Sequence, residues 1–464
     1  LWGAIFASAV GSILAAPRTM EAMVDDRILP SGLRRPFRRI EGPGLPLLVS
    51  AALALVAVVF GDLDTIAPLL TMFFLTTYGT VNLVAGLEQL SGDPSYRPTL
   101  KVPWWISIAA AIACFSVMFL ISPIALIIAV IFEVAVYVAM RRRAMNAPWG
   151  DLRRGALMSL VRSTVIRLQN MPADPRNWRP NILLFAGDVR RRSDLARFAG
   201  WLVQDRGILT VATLLTGSID DLKDRRESEE ERIADDLEAI GVIGFPEVDI
   251  VASFENGAIA VAQSNGIAGI ESNTVMFGWP EKTDRQAAML RIIEQLAKLE
   301  KSAVIGRVVP RDWNEGRRKI HVWWGGLKQN GDMLVLFAHL LSLNPAWRNA
   351  EIQINSIATN EMVYEQSRHL LLTLTEAARI DATINVILKP EDTTVQEVIH
   401  EGSVDADVVL LGLRGNEPGE EDEYARRMTS MLDGLPTVLF VRNAGEFRGQ
   451  LLGDTVEEHH GHVV

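Results

Sequence analysis

A single cysteine, Cys114, is all the thiol chemistry that 464 residues contain. No disulfide can form within the chain, and no metal site can rest on thiolates. Cys114 lies inside an apolar run, where its plain role is that of a small buried hydrophobe. Histidine is nearly as sparse. There are seven, and three of them (His459, His460 and His462) stand at the very end. That cluster could hold a metal adventitiously; a frayed tail is the simpler account. A basic excess is missing too. The net charge is −10, and no Lys/Arg-rich tract is interleaved with aromatics, which argues against nucleic acid as a partner. There is no Gly-x-Gly-x-x-Gly after a strand and no phosphate loop ending in Gly-Lys-Ser/Thr. With no evident nucleophile–base pair, the chain does not read as an enzyme.

What is present is apolar and comes early. Runs at 45–60, 69–86, 106–121 and 124–140 are long enough, or nearly so, to cross a bilayer as helices, which takes about 17–25 residues. Arg141, Arg142 and Arg143 follow at once, and a water-soluble pattern takes over. Five spans are expected, at 1–16, 44–60, 66–90, 104–121 and 123–140. Pro46 and Pro68 fall where a first helical turn tolerates them. The mean hydropathy of +0.17 averages two unlike parts. Residue 1 is Leu and the chain opens inside an apolar run without a signal-peptide pattern. The expectation is a chain that starts within a larger membrane domain.

Charge orients the spans. The connections after the first, third and fifth carry Arg18, Arg27, Arg34, Arg35, Arg38 and Arg39, then Arg97 and Lys101, then Arg141 to Arg143 with Arg153 and Arg154. The other two are acidic (Asp62, Asp64) or uncharged (Ser122, Pro123). Lys and Arg collect in cytoplasmic loops, so the soluble region is expected in the cytoplasm. Within the spans, Ser8 and Ser12 sit one turn apart around Gly11, which suits close packing or an alkali cation held by hard oxygen ligands. Tyr78 and Asn82 are also one turn apart. A phenol in apolar surroundings needs a partner, either a neighbouring helix or an anion such as chloride. Glu133 is a carboxylate inside the last span, a functional suspect whose role stays open between packing, an unseen partner and the interface.

After a basic linker, with a helix expected at 152–168 along the membrane surface, short apolar strands alternate with helices. Strands are expected at 181–186, 209–214, 249–252 and 274–278. A second series follows at 319–324, 351–357, 384–388, 408–411 and 436–441. Helices are expected at 193–205, 227–240 and 257–266, then at 331–343, 361–378 and 395–400. This pattern indicates parallel sheet covered on both faces, in two halves of like element order. The charged stretch 218–232 is expected to be solvated. Gly412 and Gly415, just after a strand, are weak candidates for approaching a phosphate; a simple turn accounts for them as well. Trp323 and Trp324 suit packing at a strand end, or an interface.

Several blocks resemble the cation-chloride cotransporters, in one order along nearly the whole chain. They are 9–18 with 26–30; Ile66, Ala67 and Pro68 leading to Phe73, Phe74, Leu75, Tyr78 and Asn82; Tyr96, Arg97, Pro98 and Trp105; Trp178, Arg179 and Pro180 through Leu183; 266–269 with Asn273, Thr274 and Val275; and His321 to Trp324. The resemblance implies a bacterial-type member of the amino acid–polyamine–organocation superfamily. Its fold would be an all-α transmembrane bundle, here helices eight to twelve of a twelve-helix inverted-repeat transporter. A cytoplasmic α/β domain would follow, with parallel sheets in two universal-stress-protein-like pseudo-repeats.

The implied division is 1–140 membrane, 141–177 linker, 178–310 first half and 311–464 second half with a flexible tail. The implied function is electroneutral symport of chloride with potassium, with sodium open, by a homodimer in the plasma (inner) membrane, without cofactors. The five spans alone would not transport, because alternating access needs the other repeat. By resemblance Tyr78 contacts chloride. A sodium site would fall on Ala4, Ala7 and Ser8, where Ala7 lacks the hydroxyl the family places there. The alternatives are an amino acid or polyamine permease of the same superfamily, or a membrane-anchored nucleotide-sensing module.

Overall fold

The computed structural model describes residues 2–25, 44–60, 63–91, 98–99, 102–142, 152–171, 178–267, 270–311, 318–325 and 330–445. The chain divides into two compact units, Leu1–Arg167 and Leu168–Val464. His459, His460 and His462, the segments 26–30 and 96–97, most of the linker, and Ala268 with Gly269 lie outside the described residues.

The first unit is helical: α1 Trp2–Asp25, α2 Gly44–Phe60, α3 Leu63–Ser91, α4 Trp104–Ile121, α5 Pro123–Arg142 and α6 Leu152–Gln169. All five expected spans are helices. Among the described residues only Leu70–Leu90 of α3 and Trp104–Ile121 are long and apolar enough to cross a bilayer. The helix α1 runs through Pro17 to Asp25, α2 has 17 residues, and α5 carries Glu133 within an apolar sequence that ends on two arginines. The helices turn apolar side chains outward: Leu53, Leu120 and Ile124 are each about two-thirds exposed or more. Such a surface suits hydrocarbon and not water.

The helices α3 and α4 touch through small residues. A Cβ on Gly79 would lie 3.1 Å from the Phe115 ring and 3.3 Å from the Cys114 Cβ, and one on Gly86 would lie 2.7 Å from Ile108. These glycines are seven apart, so both face α4 and let the backbones approach. Cys114 is accordingly a free, half-buried packing residue.

The second unit is one ten-stranded sheet with helices on both faces. Its first half runs β1 Ile182–Phe185, α7 Ser193–Val203, β2 Leu209–Thr216, α8 Ile219–Ala239, β3 Phe245–Val251, α9 Phe254–Ser264, β4 Thr274–Gly278, α10 Thr283–Lys298 and β5 Ser302–Arg307. The second half runs β6 Lys319–Trp324, α11 Gly331–Ser342, a 3-10 turn Pro345–Trp347, β7 Glu351–Ala358, α12 Glu361–Ala378, β8 Thr383–Leu388, α13 Val395–Glu401, β9 Val408–Gly412, α14 Glu421–Leu432 and β10 Thr437–Arg442. The strand order is β3-β2-β1-β4-β5-β10-β9-β6-β7-β8. Read outward from the centre, each half has the same order. All pairs are parallel except β5 with β10, which are antiparallel. Ser302 lies beside Thr274, and Thr437 beside Val408. Ile305 and Phe440 are therefore counterparts in the two halves, and they face each other across the joint. An approximate twofold axis passes there.

The central strands are apolar because both of their faces are covered. Residues 182–185 (Ile-Leu-Leu-Phe) and 408–411 (Val-Val-Leu-Leu) are wholly buried. Local signals set the helix ends. Ser218 caps α8 through the Asp220 N–H, Asn360 caps α12 through the Val363 N–H, and Thr394 with Glu397 closes a capping box on α13. The charged stretch 218–232, expected to be solvated, is largely exposed and forms most of α8. Trp323 and Trp324 are buried, with Gly402 and Gly331 flat against their rings.

Candidate functional site

The face of α3 that meets α5 is polar at one point. The Thr80 hydroxyl donates to the Glu133 carboxylate at 2.7 Å. Glu133 therefore has a partner on the helix that also carries Tyr78. Two residues before Thr80, Tyr78 stands exposed on α3 and stacks on Phe74 with ring centroids 6.3 Å apart. Between Thr71 and Asn82 the other side-chain donors are spent. Thr71, Thr76 and Thr77 each bond the carbonyl four residues back, and Asn82 bonds the Tyr78 carbonyl. Among the described residues the Tyr78 phenol is the donor left over. Ser8 and Ala7 are exposed on α1, and Ala4 is in the same helix, its side chain outside the described set. The helices described here enclose neither Ser8 nor Tyr78.

The strand ends of the second unit carry the other candidates. The loop after β9 contains Gly412 and Gly415, and three of its amides have partners. Leu413 N–H donates to the Val441 carbonyl at 2.8 Å, Arg414 N–H to the Tyr424 hydroxyl at 3.1 Å and Asn416 N–H to Glu294 at 3.0 Å. Asn330 donates to the Leu413 carbonyl and accepts from Asn443 N–H. The Glu294 carboxylate lies beside Gly415 in a bidentate pair with Arg442. Burial raises the Glu294 pKa, but the Arg442 pair and the Asn416 N–H outweigh it, so the carboxyl is held below its usual range. A phosphate beside Gly415 would meet the fixed negative charge of Glu294. This geometry does not favour the nucleotide-sensing alternative.

Sequence reasoning did not single out a pair of acids on the edge strand. Burial, and secondarily Asp249, pushes the Glu247 pKa up; burial does the same to Asp249. A carboxyl whose pKa is raised by folding contributes stability that is full below the unfolded value. That stability is lost as pH rises through the folded value. Glu247→Gln keeps an oxygen for the Asn265 side chain, which bonds it at 3.0 Å, and removes the charge. We expect Glu247→Gln to raise the melting temperature by about 1–2 °C at pH 7.5 and to give no gain at pH 4, by scanning calorimetry of the whole chain in detergent. A gain of equal size at both pH values would show that charge is not the cause.

Comparisons with known proteins agree in direction. The pattern of the amino acid permease family matches residues 1–184. Potassium/chloride cotransporter 3 of Caenorhabditis elegans is 26% identical over 404 residues, covering 82% of this chain. Over most of its length the chain is thus similar to a potassium/chloride cotransporter. It spans 37% of the length of the nematode protein. Two solved structures resemble the chain more loosely. The cytoplasmic domain of a prokaryotic cation chloride cotransporter has a TM-score of 0.41 and 15% identity, covering 59% of this chain and 98% of that one. A universal stress protein from Archaeoglobus fulgidus has a TM-score of 0.39 and 14% identity, covering 57% and 97%.

Proposed function

We propose that the chain forms part of a secondary transporter that moves chloride with potassium through an integral membrane unit. The α/β unit acts on the cytoplasmic side in regulation and dimerisation. The observation that carries this reading is the Tyr78 phenol, an unspent O–H donor exposed on the apolar helix α3. An anion in hydrocarbon is held by donors of this kind. The similarity to a potassium/chloride cotransporter over 82% of the chain supports the same ions. Ala7 stands where a second hydroxyl would serve sodium, which favours potassium–chloride symport without sodium; Ala4 and Ser8 alone make a poor cage.

The test is rubidium uptake by the protein expressed from its full reading frame. Uptake should need chloride and survive replacement of sodium by an organic cation. Tyr78→Phe removes one hydrogen bond to a charged group and should raise the KM for chloride about tenfold. Chloride-independent uptake would overturn the proposal. The amino acid permease pattern over residues 1–184 keeps a second reading in view, and competition of uptake by amino acids or polyamines would favour it.

A further inference from the structure

A part-open cavity of about 260 Å³ lies between α7 and α11, at the start of the second unit. Its walls include Trp178, Leu202, Leu336 and Leu340, all apolar. Two exposed guanidinium groups, Arg179 and Arg206, line it, and no acidic residue does. Arg179 donates to the Arg206 carbonyl at 3.2 Å. Among the described residues neither guanidinium has a carboxylate within ion-pair distance, unlike Arg291, Arg311 and Arg442 elsewhere in the unit.

The cavity is preformed. Gln204 and Asp205 both hold left-handed backbone, with φ of 53° and 52°. Gln204 is the left-handed cap that ends α7, and contacts across the fold hold this turn in one geometry. Gln204 reaches across to the Leu340 carbonyl and so ties α7 of the first half to α11 of the second. Gly207 lies so close to the Pro180 carbonyl that a Cβ would sit 2.2 Å away, and Ile208 N–H donates to the Asn181 side chain at 3.0 Å. The Trp178-Arg179-Pro180 segment is thereby locked as one wall.

We propose that this cavity binds a small organic anion: one carboxylate on an apolar body, about ten heavy atoms in all. The size follows from volume, since a cavity of about 150 Å³ holds benzene. The charge follows from two guanidiniums without carboxylate partners, whose planar forks match a carboxylate. The apolar part of the wall, Trp178 with Leu202, Leu336 and Leu340, calls for an apolar body beside the charge. This site is independent of the transport reading, and either can fail alone.

The probe is 3-phenylpropanoate, titrated calorimetrically into the whole chain in phosphatidylcholine nanodiscs, with empty discs subtracted. One saturable site is expected, with Kd on the order of 0.1 mM. The uncharged 3-phenylpropanamide should bind at least tenfold more weakly. Arg206→Gln should weaken the acid fivefold or more, and Leu336→Trp should fill the cavity and abolish binding. No saturable heat, or equal affinity for acid and amide, would overturn the proposal. So would unchanged binding by folded Leu336→Trp. If that variant fails to fold, the acid–amide comparison on the unsubstituted protein decides alone.

Discussion

Trp347→Ala should destabilise the α/β unit by about 3–5 kcal/mol, among the largest losses a single side chain can produce. Trp347 is fully buried in the turn between α11 and β7, in the second half of the sheet. Its ring packs against the first half. The Phe198 ring of α7 lies 5.8 Å away, and Trp201 meets it edge-on at 5.7 Å. The Arg318 guanidinium stands 5.3 Å from its centroid. Truncation therefore opens a cavity at the seam and removes an aromatic cluster worth more than its area alone. For a unit of this size the melting temperature should fall by roughly 6–15 °C in scanning calorimetry. Val404→Ala, at an 83% exposed position, should leave it unchanged. A loss below about 1 kcal/mol for Trp347→Ala would mean that the halves do not depend on this contact.

That seam is also where the sequence was hardest to read. Strands such as β1, β6 and β9 announce themselves as short runs of large apolar residues, and the expected and observed bounds agree to within a residue or two. The helices α10 and α14 and the strand β5 were not expected at all. The sequence of β5 is Ser-Ala-Val-Ile-Gly-Arg, with small residues at two core positions; α14 opens on three consecutive acids. Their order comes from each other. The strand β5 needs β10, more than a hundred residues away, and α10 packs on α14. No local pattern encodes such pairings.

The same gap explains the phosphate candidate. Gly412 and Gly415 look open only if the neighbours are unknown. Two of the loop's amides are taken by Glu294 on α10 and Tyr424 on α14, which belong to the two helices that went unseen. In the helical unit the situation is similar. Glu133 was legible as an anomaly, since a carboxylate in an apolar run stands out in any sequence. Its partner was not, because 53 residues separate it from Thr80 and many hydroxyls lie at comparable range. Tyr78 was legible from its surroundings on α3, but its exposure depends on which face Gly79 and Gly86 turn toward α4.

The Thr80–Glu133 pair leads to an asymmetric expectation: Thr80→Val should harm the protein more than Glu133→Leu, although each breaks the same hydrogen bond. Thr80→Val leaves a carboxylate among apolar helices without its donor, and the cost is then the desolvation of that group, about 1–3 kcal/mol. Glu133→Leu leaves only a hydroxyl. A helical threonine satisfies its hydroxyl on the carbonyl four residues back, as Thr76 and Thr77 already do on this helix. The loss there should stay near the 0.6 kcal/mol typical of hydrogen bonds between membrane helices. The double variant Thr80→Val/Glu133→Leu removes the orphaned carboxyl group and should recover most of the stability lost by Thr80→Val alone. Unfolding of the whole chain in detergent, followed as a double-mutant cycle, reads all three. If Thr80→Val and Glu133→Leu cost the same, the carboxylate has water or another partner at this depth. If the double variant is the worst of the three, the two residues act separately, and α5 is not tied to the Tyr78 segment of α3 through this bond.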